Sequence, residues 1–147
     1  MSQLAVFDRT LEKTNRFLDS VTEALGWSDR QAGYLATRAT LHALRDRLFT
    51  DEAVHLGAQL PLLLRGIYYE GWRPTETPHK NRHLRDFLGE IEAELRRGSA
   101  ETEVIARAVF QALSQAVSPG EIQDVVGAFP AELKSLWPPI GGEDDFD

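Results

Sequence analysis

Residues 17–25 read Phe17-Leu18-Asp19-Ser20-Val21-Thr22-Glu23-Ala24-Leu25, and residues 87–95 read Phe87-Leu88-Gly89-Glu90-Ile91-Glu92-Ala93-Glu94-Leu95. At a shift of 70, Phe17, Leu18, Val21 and Leu25 fall on Phe87, Leu88, Ile91 and Leu95. These are the three- and four-residue steps of an amphipathic helix. After a one-residue gap the match continues at a shift of 69, placing Arg38, Ala39, Ala43 and Leu44 on Arg107, Ala108, Ala112 and Leu113. Glu52 falls on Glu121, Leu60-Pro61 on Phe129-Pro130, Leu64 on Leu133, and Tyr68 on Trp137. Agreement sustained with a single gap marks an internal duplication. No segment alternates with period two, so no strand is expected. The expected fold is all-α: a helical bundle of about eight helices built from two tandem four-helix repeats, about 4–72 and 77–138. A unit of about 60 residues is marginal alone, so both repeats should share one core within a single domain, residues 1–140.

Helix ends can be read from local chemistry. Leu4, Phe7 and Leu11 extend the first apolar face backwards, and Gly26 stands where a left-handed residue would end that helix. Ser28 with Gln31 forms a capping-box pattern for a second helix running to about Leu48. Thr50 or Asp51 should cap a third through Gln59, and Pro61 suits the first turn of a fourth. In the second repeat, Thr77-Pro78 reads as cap plus first residue of a helix ending near Arg97-Gly98, and Ser99 caps the next. Ser118-Pro119-Gly120-Glu121 combines a capping box with a first-turn proline, and Pro130 opens a last helix closing at Trp137.

Composition bounds the function. Hydrophobic residues at 42% and charged ones at 27% are ordinary for a globular chain, and no apolar run approaches the roughly 20 residues that span a bilayer. Asp8, Arg9, Glu12 and Lys13 are unlike a secretory signal, and the absence of cysteine removes disulfides and thiolate metal sites. A cytoplasmic protein with no membrane association is the expectation. The net charge of −7 is uneven: residues 1–73 hold nine basic and nine acidic side chains, residues 74–147 seven and fourteen. Four of those acids, Glu143, Asp144, Asp145 and Asp147, lie in residues 141–147, an expected disordered acidic tail. Acidity disfavours general nucleic-acid binding, and a basic face of Arg45, Arg47, Arg65 and Arg73 would have to act against it.

The central run carries a family resemblance. Leu41-His42-Ala43-Leu44-Arg45-Asp46-Arg47-Leu48, then Ala58-Gln59-Leu60-Pro61 and Leu64-Arg65-Gly66, then Tyr68-Tyr69-Glu70-Gly71-Trp72-Arg73-Pro74, resemble a bacterial family, the domain of unknown function numbered 2267. The resemblance extends from about Phe17 to Trp137. It implies a small helical bacterial protein and carries over no catalytic residue.

A duplicated scaffold keeps packing residues in both copies and lodges function in one. Arg38, His42 and Arg45 form one stripe on the second helix, where the other copy has Arg107, Gln111 and Ser114. With Arg65 and Tyr69 converging, such a cluster could bind a carboxylate or phosphate. The competing reading is a solvated face with local pairing, for instance Arg45 with Asp46 or Asp51. Tyr69, Trp72 and Arg73 offer an interaction surface of the residue types that dominate binding hot spots. Packing at the junction between copies is the alternative for that aromatic pair.

His79 and His83 stand at i, i+4, yet a metal needs three or four well-placed ligands, and no metal or cofactor is expected. No GxSxG, phosphate-binding loop, GxGxxG or cysteine nucleophile occurs. The expected function is therefore a non-catalytic helical module acting by contact with a protein partner or by self-association. The alternative is a small-anion-binding or enzymatic domain using the Arg/His cluster.

Overall fold

In the computed structural model, which describes residues 4–96 and 101–139, seven α-helices and two short 3-10 helices follow one another, with no strand among the described residues. The all-α bundle expected from the periodicity is what forms. Helix α1 spans Ala5–Leu25 and stops at Gly26, whose φ of 70° is the left-handed value its sequence position implied. Helix α2, Arg30–Arg45, is capped not by Ser28 but by Asp29, whose carboxylate accepts from the N–H groups of Gln31 and Ala32. It ends three residues before Leu48, which is reached through tighter i→i−3 turns. Helix α3, Thr50–Ala58, begins after Phe49, which offers no side-chain cap, so neither Thr50 nor Asp51 caps it. Helix α4, Leu62–Tyr69, has Pro61 as its cap residue.

The second half departs most from expectation at its start. Thr77-Pro78 does not open a helix: a 3-10 turn occupies Pro74–Glu76, and α5 spans Leu84–Leu95 with His83 at its cap. The His79 N–H donates to the carbonyl of Asp46 at 2.7 Å, which ties the segment to the end of α2. Helix α6 spans Thr102–Ala116, α7 Pro119–Ala128, and a 3-10 helix Ala131–Leu136 follows Pro130. Ser118 caps α7 as expected, its hydroxyl accepting from Glu121 N–H. The reciprocal half of the box is not formed, because the Ser118 N–H donates to Gln59 Oε1. The endings assigned to Arg97-Gly98 and Ser99, and residues 141–147, lie outside the described residues.

The two halves pack by exchange. Helix α1 lies on α6 and α2 lies on α5, so each half's first helix covers the other half's second, while α3 meets α7. One buried cluster draws Phe17, Val21, Leu44, Leu56, Leu64 and Tyr68 from the first half and Phe87, Ile91, Phe110, Leu113, Phe129 and Trp137 from the second. Phe110 and Trp137 stack with centroids 4.1 Å apart, and Phe87 and Phe129 meet at 5.8 Å edge to face.

Candidate interaction surface

The Arg/His stripe faces inward. Arg45 is 4% exposed; its guanidinium donates to the carbonyls of Tyr68 (2.9 Å) and Glu70 (2.8 Å) and to Asp46 (2.8 Å). It thereby satisfies carbonyls at the end of α4 that have no helical partner. His42 is also buried, with Nδ1 3.0 Å from Glu94 Oε1 and Nε2 2.8 Å from the Ile67 carbonyl. Arg38 reaches Glu70 at 2.9 Å and Glu94 at 2.7 Å. Burial pushes the Glu94 carboxyl up, but the hydrogen bond and charge of His42, with Arg38 and Arg45, outweigh it and hold Glu94 below the usual carboxylate range. The hydrogen bond from Arg38 lowers Glu70 likewise, and the same bond raises Arg38 further.

Arg65 does not join this group. It donates to the carbonyls of Gly57 (2.9 Å) and Leu60 (3.1 Å), closing the end of α3. Of the five residues expected to converge on an anion, Arg38, His42 and Arg45 share one network satisfied by the chain's own carboxylates and carbonyls. Arg65 caps a different helix, and Tyr69 lies over α3.

Tyr69 stacks on Trp72 at 5.4 Å and sits against Gly57, where a Cβ would collide with its phenol ring. Both aromatics are half-buried, and the Trp72 indole N–H donates to Thr77 Oγ1 at 3.4 Å. Arg73 is exposed and pairs with Glu76 at 3.3 Å. The trio thus spans packing and surface: Tyr69 and Trp72 hold the junction, and Tyr69 also forms one wall of an open groove.

That groove, of about 870 Å³, lies between α1, α2 and α4 and is lined by Phe7, Leu11, Tyr34, Leu62, Leu63, Ile67 and Tyr69 among others. Thr10 fixes its geometry, since its hydroxyl accepts the Leu63 N–H at 2.8 Å and so docks the start of α4 on α1. Leu4, Val6, Phe7, Leu11, Leu62 and Leu63 are each between 42% and 53% exposed. Gathered apolar exposure of this kind is uncommon on a surface with no partner. The sequence expectation missed it by reading Leu4, Phe7 and Leu11 only as a continuation of the first helix's apolar face. A signal existed: seventy positions on stand Pro74, Thr77 and Asn81, and sixty-nine positions after Leu62 and Leu63 stand Ala131 and Glu132. Residues apolar in only one half are not required by the shared frame.

The paired histidines do not share a helical face, because His79 lies in the loop and His83 at the cap of α5. His79 bonds Glu90 at 3.1 Å, and His83 faces Glu132 at 3.5 Å. Asp46, His79 and Glu90 place potential ligand atoms within 4.8 Å of one another. Arg45 already holds Asp46 and Arg47 holds Glu90 at 3.0 Å, so a cation there would enter beside two guanidinium groups. No helix among the described residues is long and apolar enough to cross a membrane.

Fold and surface together define a small all-α protein with a partly buried ion network and an open apolar groove. The family model described as "Uncharacterized conserved protein (DUF2267)" matches residues 14–136, and the chain belongs to that family. No curated protein matches it.

Proposed function

We propose that the protein is a non-catalytic contact module that works through the α1/α2/α4 groove, and that the occupant of the groove is a second copy of the chain. The observation that carries this is the collection of four large exposed apolar side chains, Phe7, Leu11, Leu62 and Leu63, at one groove. A two-fold contact sets a patch against itself, so it must be self-complementary in shape and uncharged overall. The lining of the groove is almost wholly uncharged, as such a contact requires. Phe7 and Leu11 from α1 line the groove together with Leu62 and Leu63 from α4, and Glu70 is the one charged residue in its lining. The organisation that supports this reading is a duplicated four-helix unit in which one copy has kept, or acquired, an apolar outer face.

Light scattering and sedimentation over a range of concentrations test it. The wild type should self-associate as concentration rises. The double variant Phe7→Thr/Leu63→Glu, which brings in the residues found at the corresponding places of the second half, should stay monomeric with unchanged helical content. A wild type that is monomeric at every concentration overturns self-association. If the same double variant instead abolishes capture of a different protein, the groove stands as a contact site and only its occupant is revised.

A further inference from the structure

A second cavity, of about 520 Å³, lies on another part of the molecule between the end of α2, the loop before α5 and the start of the last 3-10 helix. The loop itself is unusual in an acidic protein: Thr77-Pro78-His79-Lys80-Asn81-Arg82-His83-Leu84-Arg85 contains five basic side chains and no acid. Arg47, His79, Lys80 and Arg82 all line the cavity. The charged group opposing them at the wall is Glu76, which is engaged by Arg73 at 3.3 Å. Behind the wall Glu90 serves both Arg47 at 3.0 Å and His79 at 3.1 Å. Among the described residues, neither Lys80 nor Arg82 has an ion-pair partner.

Two further features mark the place. The Arg47 side chain is fully buried under the Phe87 ring, 5.5 Å from its centroid, and its Nε and Nη2 groups have no hydrogen-bond acceptor. Buried donors left unmet in a native fold call for an explanation. Phe49, Pro78 and Pro130 also line the cavity. Phe49 is 68% exposed and occupies the cap position of α3, which Ser118 fills in α7 with a side-chain hydrogen bond. A phenyl group in water at a position where serine would cap the helix gains nothing for the fold.

We propose that this cavity binds a phosphate ester carrying a flat ring, of the nucleotide class. The phosphate lies against Lys80 and Arg82 above the Arg47 charge, and the ring lies on Phe49. The cavity is several times larger than a bare phosphate and falls in the range of small-molecule sites. The site is distinct from the groove, so the two proposals stand or fall separately.

The test is titration of the isotopically labelled full-length protein with adenosine diphosphate and, separately, inorganic pyrophosphate, at ionic strength held constant with sodium chloride. Saturable shifts are expected at the amides of His79, Lys80 and Arg82, with the diphosphate ester binding at least ten-fold more tightly than pyrophosphate. Lys80→Ala/Arg82→Ala should weaken both ligands ten-fold or more while leaving the thermal midpoint unchanged. Phe49→Ser should weaken the ester alone, down to the pyrophosphate level. Shifts that fail to saturate, that chloride reproduces, or that survive the double substitution overturn the site. Equal affinity for both probes, with Phe49→Ser without effect, overturns the ring half of the proposal.

Discussion

The halves 5–69 and 84–136 bury corresponding positions almost side chain for side chain, yet they are held by different chemistry. Phe17, Leu44, Leu64 and Tyr68 are matched by Phe87, Leu113, Leu133 and Trp137, all buried. On α2 and just past its end, however, His42, Arg45 and Arg47 are buried, where α6 has exposed Gln111, half-buried Ser114 and exposed Ala116. The second half compensates with rings: Phe110 and Phe129 stand where the first has Leu41 and Leu60. The two exchanged contacts therefore differ as well. Helix α1 offers Phe17 and Val21 towards α6, while α2 meets α5 through Arg38, His42 and Arg47 on Glu94 and Glu90. Apolar burial is non-directional, whereas buried ion pairs hold only while each charge keeps its partner in place.

The largest expected effect breaks the polar side of this comparison. Arg45→Met should destabilise by about 3–5 kcal/mol, because it strands the carbonyls of Tyr68 and Glu70 and the Asp46 carboxylate. Ser114→Ala, at the corresponding place, should cost under about 1 kcal/mol, since it removes a local hydroxyl bond to the Phe110 carbonyl. Chemical denaturation of the two variants measures the difference; equal losses would mean that the network adds nothing to the frame.

Next in size is Gly57→Val, which brings in the residue of the second half, Val126. Valine there meets the rings of Tyr69 and Tyr68 and should cost about 1–3 kcal/mol, with loss of the Tyr69–Trp72 stack visible in near-ultraviolet circular dichroism. Unchanged stability and spectrum would show that Tyr69 has room the packing denies it.

The smallest effect concerns a place where corresponding residues face each other. Glu52 and Glu121 meet where α3 packs on α7, and the buried Oε2 atom of each lacks another partner. Burial, then the hydrogen bond and charge of Glu52, push the Glu121 carboxyl up to about 8. The folded state therefore binds a proton that the unfolded chain releases near pH 4.5, so stability should fall as pH rises from about 4.5 towards 8. Glu121→Gln should flatten that fall, gaining at least about 1 kcal/mol at pH 8.5 and little at pH 5. Thermal melts at the two pH values decide it, and a gain of equal size at both would show that the pair does not share a proton.

What the sequence made readable was whatever depends on near neighbours. Gly26 and Ser118 act on backbone within a turn of themselves, and they sit where expected. Thr77-Pro78 misled because its local pattern was overruled by a long-range bond, from His79 N–H to Asp46. The same limit hid the role of Arg45, whose carbonyl partners lie 23 and 25 residues away. It also hid that of Arg65, whose partners lie on a different helix. The apolar groove was legible in principle, through the contrast of Leu63 with Glu132. Weighing polar and aromatic differences between the halves, but not aliphatic ones, left it unread.

The exchanged packing of α1 on α6 and α2 on α5 has a consequence for any attempt to divide the molecule. Severed in the loop between Glu70 and His83, the chain would yield two pieces, each lacking the helix that packs most extensively on each of its own first two. Each fragment would carry an open apolar cleft shaped for the other. Mixed, they should reassemble into the parent bundle, and kept apart, each should pair with its like, so that the loop works as a tether setting stoichiometry rather than as a hinge.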